Sequence, residues 1–383
     1  MNKPQIVPAP RYTRTVAPLP ASVPFVGPET QERLRGKPFR ARIGANENVF
    51  GPSPFAVAAM QAAASQTWMY GDPDNYELKQ ALAARLGVKP GNIVVGEGID
   101  SLFGYTVRLF VEQHDAVVTS LGAYPTFNFH VHGYGGKLVT APYVNDHEDP
   151  QSLLDAAAAL PAAPKLIYFA NPDSPMGTWR SAEQTRDLIA NLPDGTLLVL
   201  DEAYSEFAPQ GTVPDIDVSN PCVIRFRTFS KAWGMAGSRI AYAIAEESVA
   251  KSFDKIRNHF SVNRIAQVGA LASLQDAAHL PLTIARVSAA RERIASIARA
   301  NGLKPVASAT NFVAIDCLRD GAFAKCVLDE LAKRDVFVRM PGAAPLNRTI
   351  RVSAGTPTDL DWFEQMLPDA LAGANMTTPR AAV

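Results

Sequence analysis

Arg227-Thr-Phe-Ser-Lys-Ala-Trp-Gly-Met-Ala-Gly-Ser-Arg239 places a lysine directly after a serine, with an arginine eight residues further on. The run before it, Cys222-Val-Ile-Arg-Phe226, and the one after it, Ile240-Ala-Tyr-Ala-Ile244, are short, apolar and strand-like. Ser230, Lys231 and Arg239 therefore sit on a connection between strands, where ligand-contacting residues concentrate in α/β proteins. A lysine and an arginine on a glycine-rich loop also describe an ordinary solvated surface, so the rest of the chain has to decide between the two.

Upstream, strand-like runs recur at Ala116-Val-Val-Thr119, Lys137-Leu-Val-Thr140, Lys165-Leu-Ile-Tyr-Phe169 and Thr196-Leu-Leu-Val-Leu200, with helical text or loops between them. Several are continuously apolar, as in strands covered on both faces, so the pattern predicts an α/β fold with a mostly parallel sheet between helices. Downstream the text turns helical from about Glu247, with a long helix over 282–299. It then returns to short strands (Asn311-Phe-Val-Ala-Ile315, Val336-Phe-Val338, Thr349-Ile-Arg-Val352) and a closing helix from Thr358, a smaller α+β C-terminal domain. A chain of 383 residues exceeds one ordinary core, and the expected division is an arm over 1–38, a large domain over 39–275 and a small domain over 276–383. Prolines at 4, 8, 10, 18, 20, 24 and 28 predict an extended arm without regular helix.

Lys plus Arg and Asp plus Glu balance at 37 each, which leaves no global attraction for nucleic acid or an anionic membrane. The amino terminus holds no apolar run long enough for a signal peptide or a membrane span, and three cysteines without a Cys-x-x-Cys pair point to a reducing compartment; the expectation is a cytoplasmic protein. The six histidines lack metal-ligand spacing, and there is no Gly-x-Ser-x-Gly, so neither a zinc site nor a serine hydrolase is indicated.

Asn92-Ile-Val-Val-Gly-Glu-Gly98-Ile-Asp-Ser101 reads as a strand, a glycine turn and the start of a helix, an arrangement whose free N–H groups and helix dipole suit a phosphate. It also resembles an incomplete dinucleotide fingerprint. The third glycine is Ser101, however, and no acid follows at the ribose spacing, which favours a simple phosphate cup. In a parallel sheet the carboxyl ends of neighbouring strands share one edge. Asp201-Glu-Ala-Tyr204, Asn171-Pro-Asp-Ser-Pro-Met-Gly177 and the lysine stretch would then converge on one crevice beside Gly98. That set matches the needs of pyridoxal phosphate. A lysine can bind the aldehyde, an aspartate can keep the ring nitrogen protonated, a tyrosine can reach the ring oxygen, and serine, arginine and a helix terminus can take the phosphate.

On these motifs, with Ala45-Asn-Glu-Asn48, Tyr70-Gly-Asp-Pro73, Ala236-Gly-Ser-Arg239 and Arg351-Val-Ser-Ala-Gly-Thr356, the chain resembles the fold-type I aminotransferases, most closely the histidinol-phosphate aminotransferase group, from about Gly44 to Thr356. The resemblance implies that Lys231 carries the cofactor pyridoxal 5'-phosphate, that Asp201 meets the ring nitrogen and that Tyr204 reaches the ring hydroxyl. It implies that Gly98, Ile99, Asp100, Ser230 and Arg239 hold the phosphate, with Tyr70 reaching it from the neighbouring subunit of a homodimer. Phe127, in Tyr124-Pro-Thr-Phe127, would lie on the ring face, and Ser174 would stand near the ring oxygen. Gly44, Asn46, Arg339 and Arg351 would face the substrate, Arg351 as a clamp on its α-carboxylate.

The chain departs from the group at Ser174, where an asparagine is usual, at Gly44 (asparagine), at Val49 (proline) and at His259-Phe-Ser261 (Pro-Tyr-Asn). These departures bear on the substrate rather than the cofactor. The implied activity is transfer of an amino group between an amino acid or amino alcohol, of the histidinol-phosphate type, and a 2-oxo acid. The alternatives are a decarboxylase or lyase on the same scaffold, or a ligand-binding module that has kept the fold without turnover.

Overall fold

The computed structural model describes residues 10–21 and 26–377. Twelve strands follow in chain order: β1 (Ala41–Arg42), β2 (Ile93–Gly96), β3 (Ala116–Ser120), β4 (Lys137–Ala141), β5 (Leu166–Ala170), β6 (Leu197–Asp201), β7 (Val223–Thr228), β8 (Ala241–Ile244), β9 (Lys304–Pro305), β10 (Phe312–Asp316), β11 (Val336–Phe337) and β12 (Thr349–Ser353). Seven of them form the main sheet in the order β2-β8-β7-β6-β5-β3-β4. Its pairs are parallel except those of β8, which runs antiparallel to both β7 and β2. The carboxyl ends of β2, β5, β6 and β7 therefore share one edge.

The continuous apolar text of β5 and β6 reflects burial on both faces. Leu166, Tyr168 and Ala170, with Leu197 and Val199, pack on one side with Phe103 and Val107 of the helix Ile99–Phe110. Ile167, Phe169, Leu198 and Leu200 pack on the other side with Leu153 and Leu188 of the helices Pro150–Ala158 and Ala182–Ala190. Each such side chain contributes about 1.5–3 kcal/mol when fully removed from water. The same period-two parity places Asp201 on the Tyr168 side of the sheet.

A second, antiparallel sheet, β12-β10-β9, packs with the helices His279–Ala300, Gly321–Lys333 and Pro357–Thr377. The parallel pair β1-β11 ties residues 41–42 to residues 336–337.

The helix Pro28–Arg35 corrects the expectation that the arm holds no regular helix. Pro28 occupies the first turn, where its missing N–H costs nothing, the seven residues after it contain no proline, and Gly36 closes the helix in the left-handed region at φ 73°. Asp335 then receives both Arg35 and Lys37, which anchors this segment near β11. The prolines at 4, 8 and 24 lie outside the described residues.

Candidate functional site

After β7 the chain turns through Phe229, whose fully buried ring lies against Trp233 and Tyr242. The loop runs so close to the 51–52 backbone that a Cβ on Gly234 would stand 2.2 Å from the Gly51 carbonyl oxygen, and Gly234 has φ +69°. Only glycine meets both conditions there. This turn presents Lys231. Its Nζ donates to the Asn46 carbonyl at 3.1 Å and lies 5.6 Å from the centre of the Tyr204 ring. Asn48 Nδ2 donates to the Lys231 and Ala232 carbonyls at 3.0 and 3.2 Å, so the Ala45-Asn-Glu-Asn48 motif grips the lysine at both its tip and its backbone.

Asn46 is the junction of the site. It is buried, with φ 57°, a conformation asparagine tolerates better than most residues. Its Nδ2 donates to the Tyr204 hydroxyl at 3.1 Å, and its Oδ1 accepts from Ser353 Oγ at 2.9 Å. Its carbonyl takes Asn311 Nδ2 at 3.0 Å besides the lysine. The ends of β12 and β10 are thereby joined to the edge of the main sheet. Ser353 lies within the motif Arg351-Val-Ser-Ala-Gly-Thr356 and Asn311 opens the run Asn311-Phe-Val-Ala-Ile315, but neither residue has a site role in the sequence pattern. Gly44 has a packing reason: a Cβ there would stand 2.9 Å from the Phe337 ring and the Val338 backbone.

Asp201 ends β6, buried, with Tyr168 Oη donating to Oδ2 at 2.7 Å and the Ala203 N–H to Oδ1 at 2.9 Å. Burial pushes its carboxyl up to about 6. The Tyr168 and Ala203 donors work against the rise, and the nearby Asp100 and Glu202 charges add to it.

The strand, glycine turn and helix start expected around Gly98 are also present. Gly98, at φ +98°, caps the helix Ile99–Phe110, leaving the N–H groups of its first turn, including those of Ile99 and Asp100, without intrahelical partners. A Cβ on Gly98 would come within 2.3 Å of Arg239 Nη2, so only a bare backbone lets the guanidinium lie against the helix terminus. Arg239 is itself left-handed, at φ 55°, and Nη1 donates to the Ala236 carbonyl at 2.8 Å. Ser230 is buried on the lysine turn beside it, and Asp100 accepts the Tyr124 hydroxyl at 3.0 Å.

Arg351 and Arg339 face each other across an antiparallel bridge, with backbone N–H···O distances of 2.6 and 3.3 Å. The Arg351 guanidinium lies 5.2 Å from the Phe312 ring centre, its Nε is enclosed without a protein partner, and burial lowers its pKa. Arg339 Nη2 donates to the Val26 carbonyl at 3.0 Å, and burial lowers its pKa as well.

Three further expected residues are Phe127, Tyr70 and Ser174. Phe127 is fully enclosed in the core, its ring stacked on Tyr168 at 4.5 Å, so it reaches Asp201 only through that tyrosine. Tyr70 is 75% exposed and packs on Phe260, itself 53% exposed, at 4.8 Å between centroids. Ser174 is buried on the Asn171-Pro-Asp-Ser turn. Next to it lies a pair of buried acids, Asp173 and Glu148. Asp173 accepts from Tyr143 Oη at 2.8 Å and the Met176 N–H at 3.0 Å, and burial pushes its carboxyl up to about 6. Glu148, equally buried, accepts from Ser120 Oγ at 2.9 Å, and burial, with the Asp173 charge beside it, raises its pKa well above the ordinary value. Asp173 stands on the Asn171-Pro-Asp-Ser turn, whereas Glu148 belongs to none of the quoted motifs. His259 and Phe260 are exposed, while Ser261 Oγ donates to Glu97 Oε2 at 2.8 Å.

Among the described residues no group of three or more His, Cys, Asp or Glu side chains could hold a metal ion. The family model for aminotransferase class I and II matches residues 42–363. A histidinol-phosphate aminotransferase from Moorella thermoacetica is 31% identical over 367 residues, covering 95% of this chain and 94% of the relative. The crystal structure of histidinol-phosphate aminotransferase from Sinorhizobium meliloti in complex with pyridoxal-5'-phosphate superposes with a TM-score of 0.92 at 48% identity, over 96% of this chain and 99% of that one. Aspartate aminotransferase from Thermus thermophilus, at 22% identity and a TM-score of 0.76 over 90% and 94% of the two chains, shares the fold.

Proposed function

The chain belongs to the class I and II aminotransferases, and on that premise we propose that it is a pyridoxal 5'-phosphate-dependent transaminase. It moves an amino group between an amino acid or amino alcohol, of the histidinol-phosphate type, and a 2-oxo acid. The observation that carries this reading is the placement of Lys231 Nζ within one cluster with Asn46 and Tyr204, on the sheet edge that also holds Asp201 and the Gly98 cup.

The residues fit the cofactor. Asp201 is a buried carboxyl raised to about 6, and a protonated ring nitrogen would favour its ionised form. The Gly98–Arg239 cradle would be filled by a single Cβ, and Arg351 Nε is an enclosed donor with no acceptor. When bound, pyridoxal phosphate supplies an electron-poor ring that takes up the electron pair left when the substrate carbon loses its proton.

Around it this chain's residues divide the work. Lys231 would hold the aldehyde and would move the proton at the substrate Cα. Asp201 would keep the ring nitrogen protonated, and Tyr204, positioned by Asn46, would bond the ring hydroxyl, near Ser174. Gly98, Ile99, Asp100, Ser230 and Arg239 receive the phosphate. Arg351 meets the substrate's α-carboxylate and Arg339 a distal anionic group, with Gly44 and Asn46 lining that side. Phe127 enters the set as the ring behind Tyr168.

A homodimer completes the site through Tyr70 of the neighbouring copy. The exposure of Tyr70 and Phe260 as one aromatic pair supports this. The division into arm, large domain (39–275) and small domain (276–383) is supported by the seven-stranded sheet falling within 93–244 and the three-stranded sheet within 304–353. No helix among the described residues is long and apolar enough to cross a membrane, and the three cysteines are free, in keeping with a cytoplasmic protein.

The test is a panel of donors (histidinol phosphate, aromatic and acidic amino acids) with a 2-oxo acid acceptor. Amino-group transfer is expected, and Lys231→Ala is expected to lower it about 10³-fold or more, the scale of losing a positioned proton-transfer group. Carbon dioxide release without transfer of the amino group would overturn the reading.

A further inference from the structure

Tyr168 carries the one hydroxyl in the run Leu166-Ile-Tyr-Phe-Ala170, and it is fully buried. Its ring is held on two sides. Phe127 stacks on it at 4.5 Å with 24° between the planes, and Phe103 meets it edge-on at 5.7 Å and 82°. A ring clamped in this way has one orientation available, and that orientation puts Oη 2.7 Å from Asp201 Oδ2. Both donors to Asp201, this hydroxyl and the Ala203 N–H, are neutral.

The charged and titratable groups facing the pair work against a free carboxylate. Asp100 at the helix start and Glu202 on the following residue oppose ionisation of Asp201, while Glu148 and Tyr124, like burial itself, hold the Tyr168 hydroxyl in its protonated, donating form. From the neighbouring β7, Asp201 is faced by the apolar Phe226. Arg225 and Arg227, also on β7, are paired with Glu202.

We infer that Tyr168 is a positioning residue of the cofactor site: clamped by Phe127 and Phe103, its hydroxyl holds Asp201 as the ionised acceptor on which the proposed contact to the ring nitrogen depends. The inference rests on the reading that Asp201 meets the cofactor. It also gives Phe127 a physical role that acts through Tyr168.

The test is equilibrium binding of pyridoxal 5'-phosphate to the full chain as a function of pH, for wild type, Tyr168→Phe, Asp201→Asn and the double variant. Tyr168→Phe keeps the packed ring and removes only the donor. Its affinity should fall about 10-fold or more, the scale of a hydrogen bond to a charged group. The donor lowers the Asp201 pKa, so its loss raises that pKa and the acid limb of binding should move to higher pH. In the Asp201→Asn background, Tyr168→Phe should cost little more. A Tyr168→Phe curve that overlays wild type in affinity and acid limb overturns the inference, as does an equal loss in both backgrounds. If Asp201→Asn binds as tightly as wild type, the assignment of Asp201 to the cofactor fails, and the inference with it. A weakened Asp201→Asn beside an unaffected Tyr168→Phe sinks the inference alone.

Discussion

Asp201 and Glu202 are consecutive residues at the end of β6, both buried, and the protein treats their carboxylates in opposite ways. Glu202 is met by Arg225 through Nε and Nη2, the latter at 2.5 Å, and by Arg227 Nε at 2.9 Å. Burial alone would raise its pKa, but the two guanidinium charges outweigh burial and the pKa falls. Asp201 faces the other side of the strand and is given a phenol and an amide, so burial prevails and its carboxyl rises to about 6. Where a buried charge serves the fold, the chain supplies its own counter-charge. At Asp201 it supplies two neutral donors instead, which stability alone would not favour; on the proposed reading the counter-charge would arrive with the cofactor.

Exchanging charge for amide at each position tests this contrast. The largest effect is expected for Asp201→Asn, with turnover falling about 10²–10⁴-fold, as for loss of a group that acts directly at the reacting centre. Urea denaturation of the cofactor-free chain at about pH 4, where Asp201 keeps its proton in the folded state, should meanwhile show stability close to wild type. Glu202→Gln should do the reverse. Removing the anion leaves two arginines uncompensated, and the denaturation free energy should drop by about 3–5 kcal/mol; a stable Glu202→Gln chain without turnover would break the comparison.

The smallest effect is a slope with pH. Asp201 has its folded pKa raised from 3.8 to about 6, so the folded state binds the extra proton between those values. Its contribution is fully present below the unfolded pKa and is lost as pH rises through the folded one. Thermal unfolding without cofactor should therefore show Asp201→Asn gaining on wild type from about pH 4 to about pH 6. Glu202, with its lowered pKa, contributes stability that is lost as pH falls. A Glu202→Gln difference curve should accordingly slope the opposite way.

Much of the site was legible before any coordinates. Gly98, Asp201, Tyr204, Lys231 and Arg239 lie at strand ends or helix starts, and strands betray themselves through five-residue apolar runs and the turns that close them. The helix Pro28–Arg35 runs against the proline content of the arm because helix compatibility depends on where each proline falls, and Pro28 falls in the first turn.

What the sequence by itself determined was the α/β order of elements, the parallel edge and the motif residues placed on it, because hydrophobic period, turn chemistry and motif spacing act over a few residues. Tertiary structure alone decided that Asn46 joins Lys231, Tyr204, Asn311 and Ser353, that Phe127 bears on Asp201 through Tyr168, and that Asp173 shares a buried site with Glu148. It also decided the opposite pKa shifts of two adjacent carboxylates that the text Asp201-Glu202 cannot tell apart. Those outcomes depend on which residues, remote in the chain, remove water from a group and which replace the water's hydrogen bonds, and no local pattern records either.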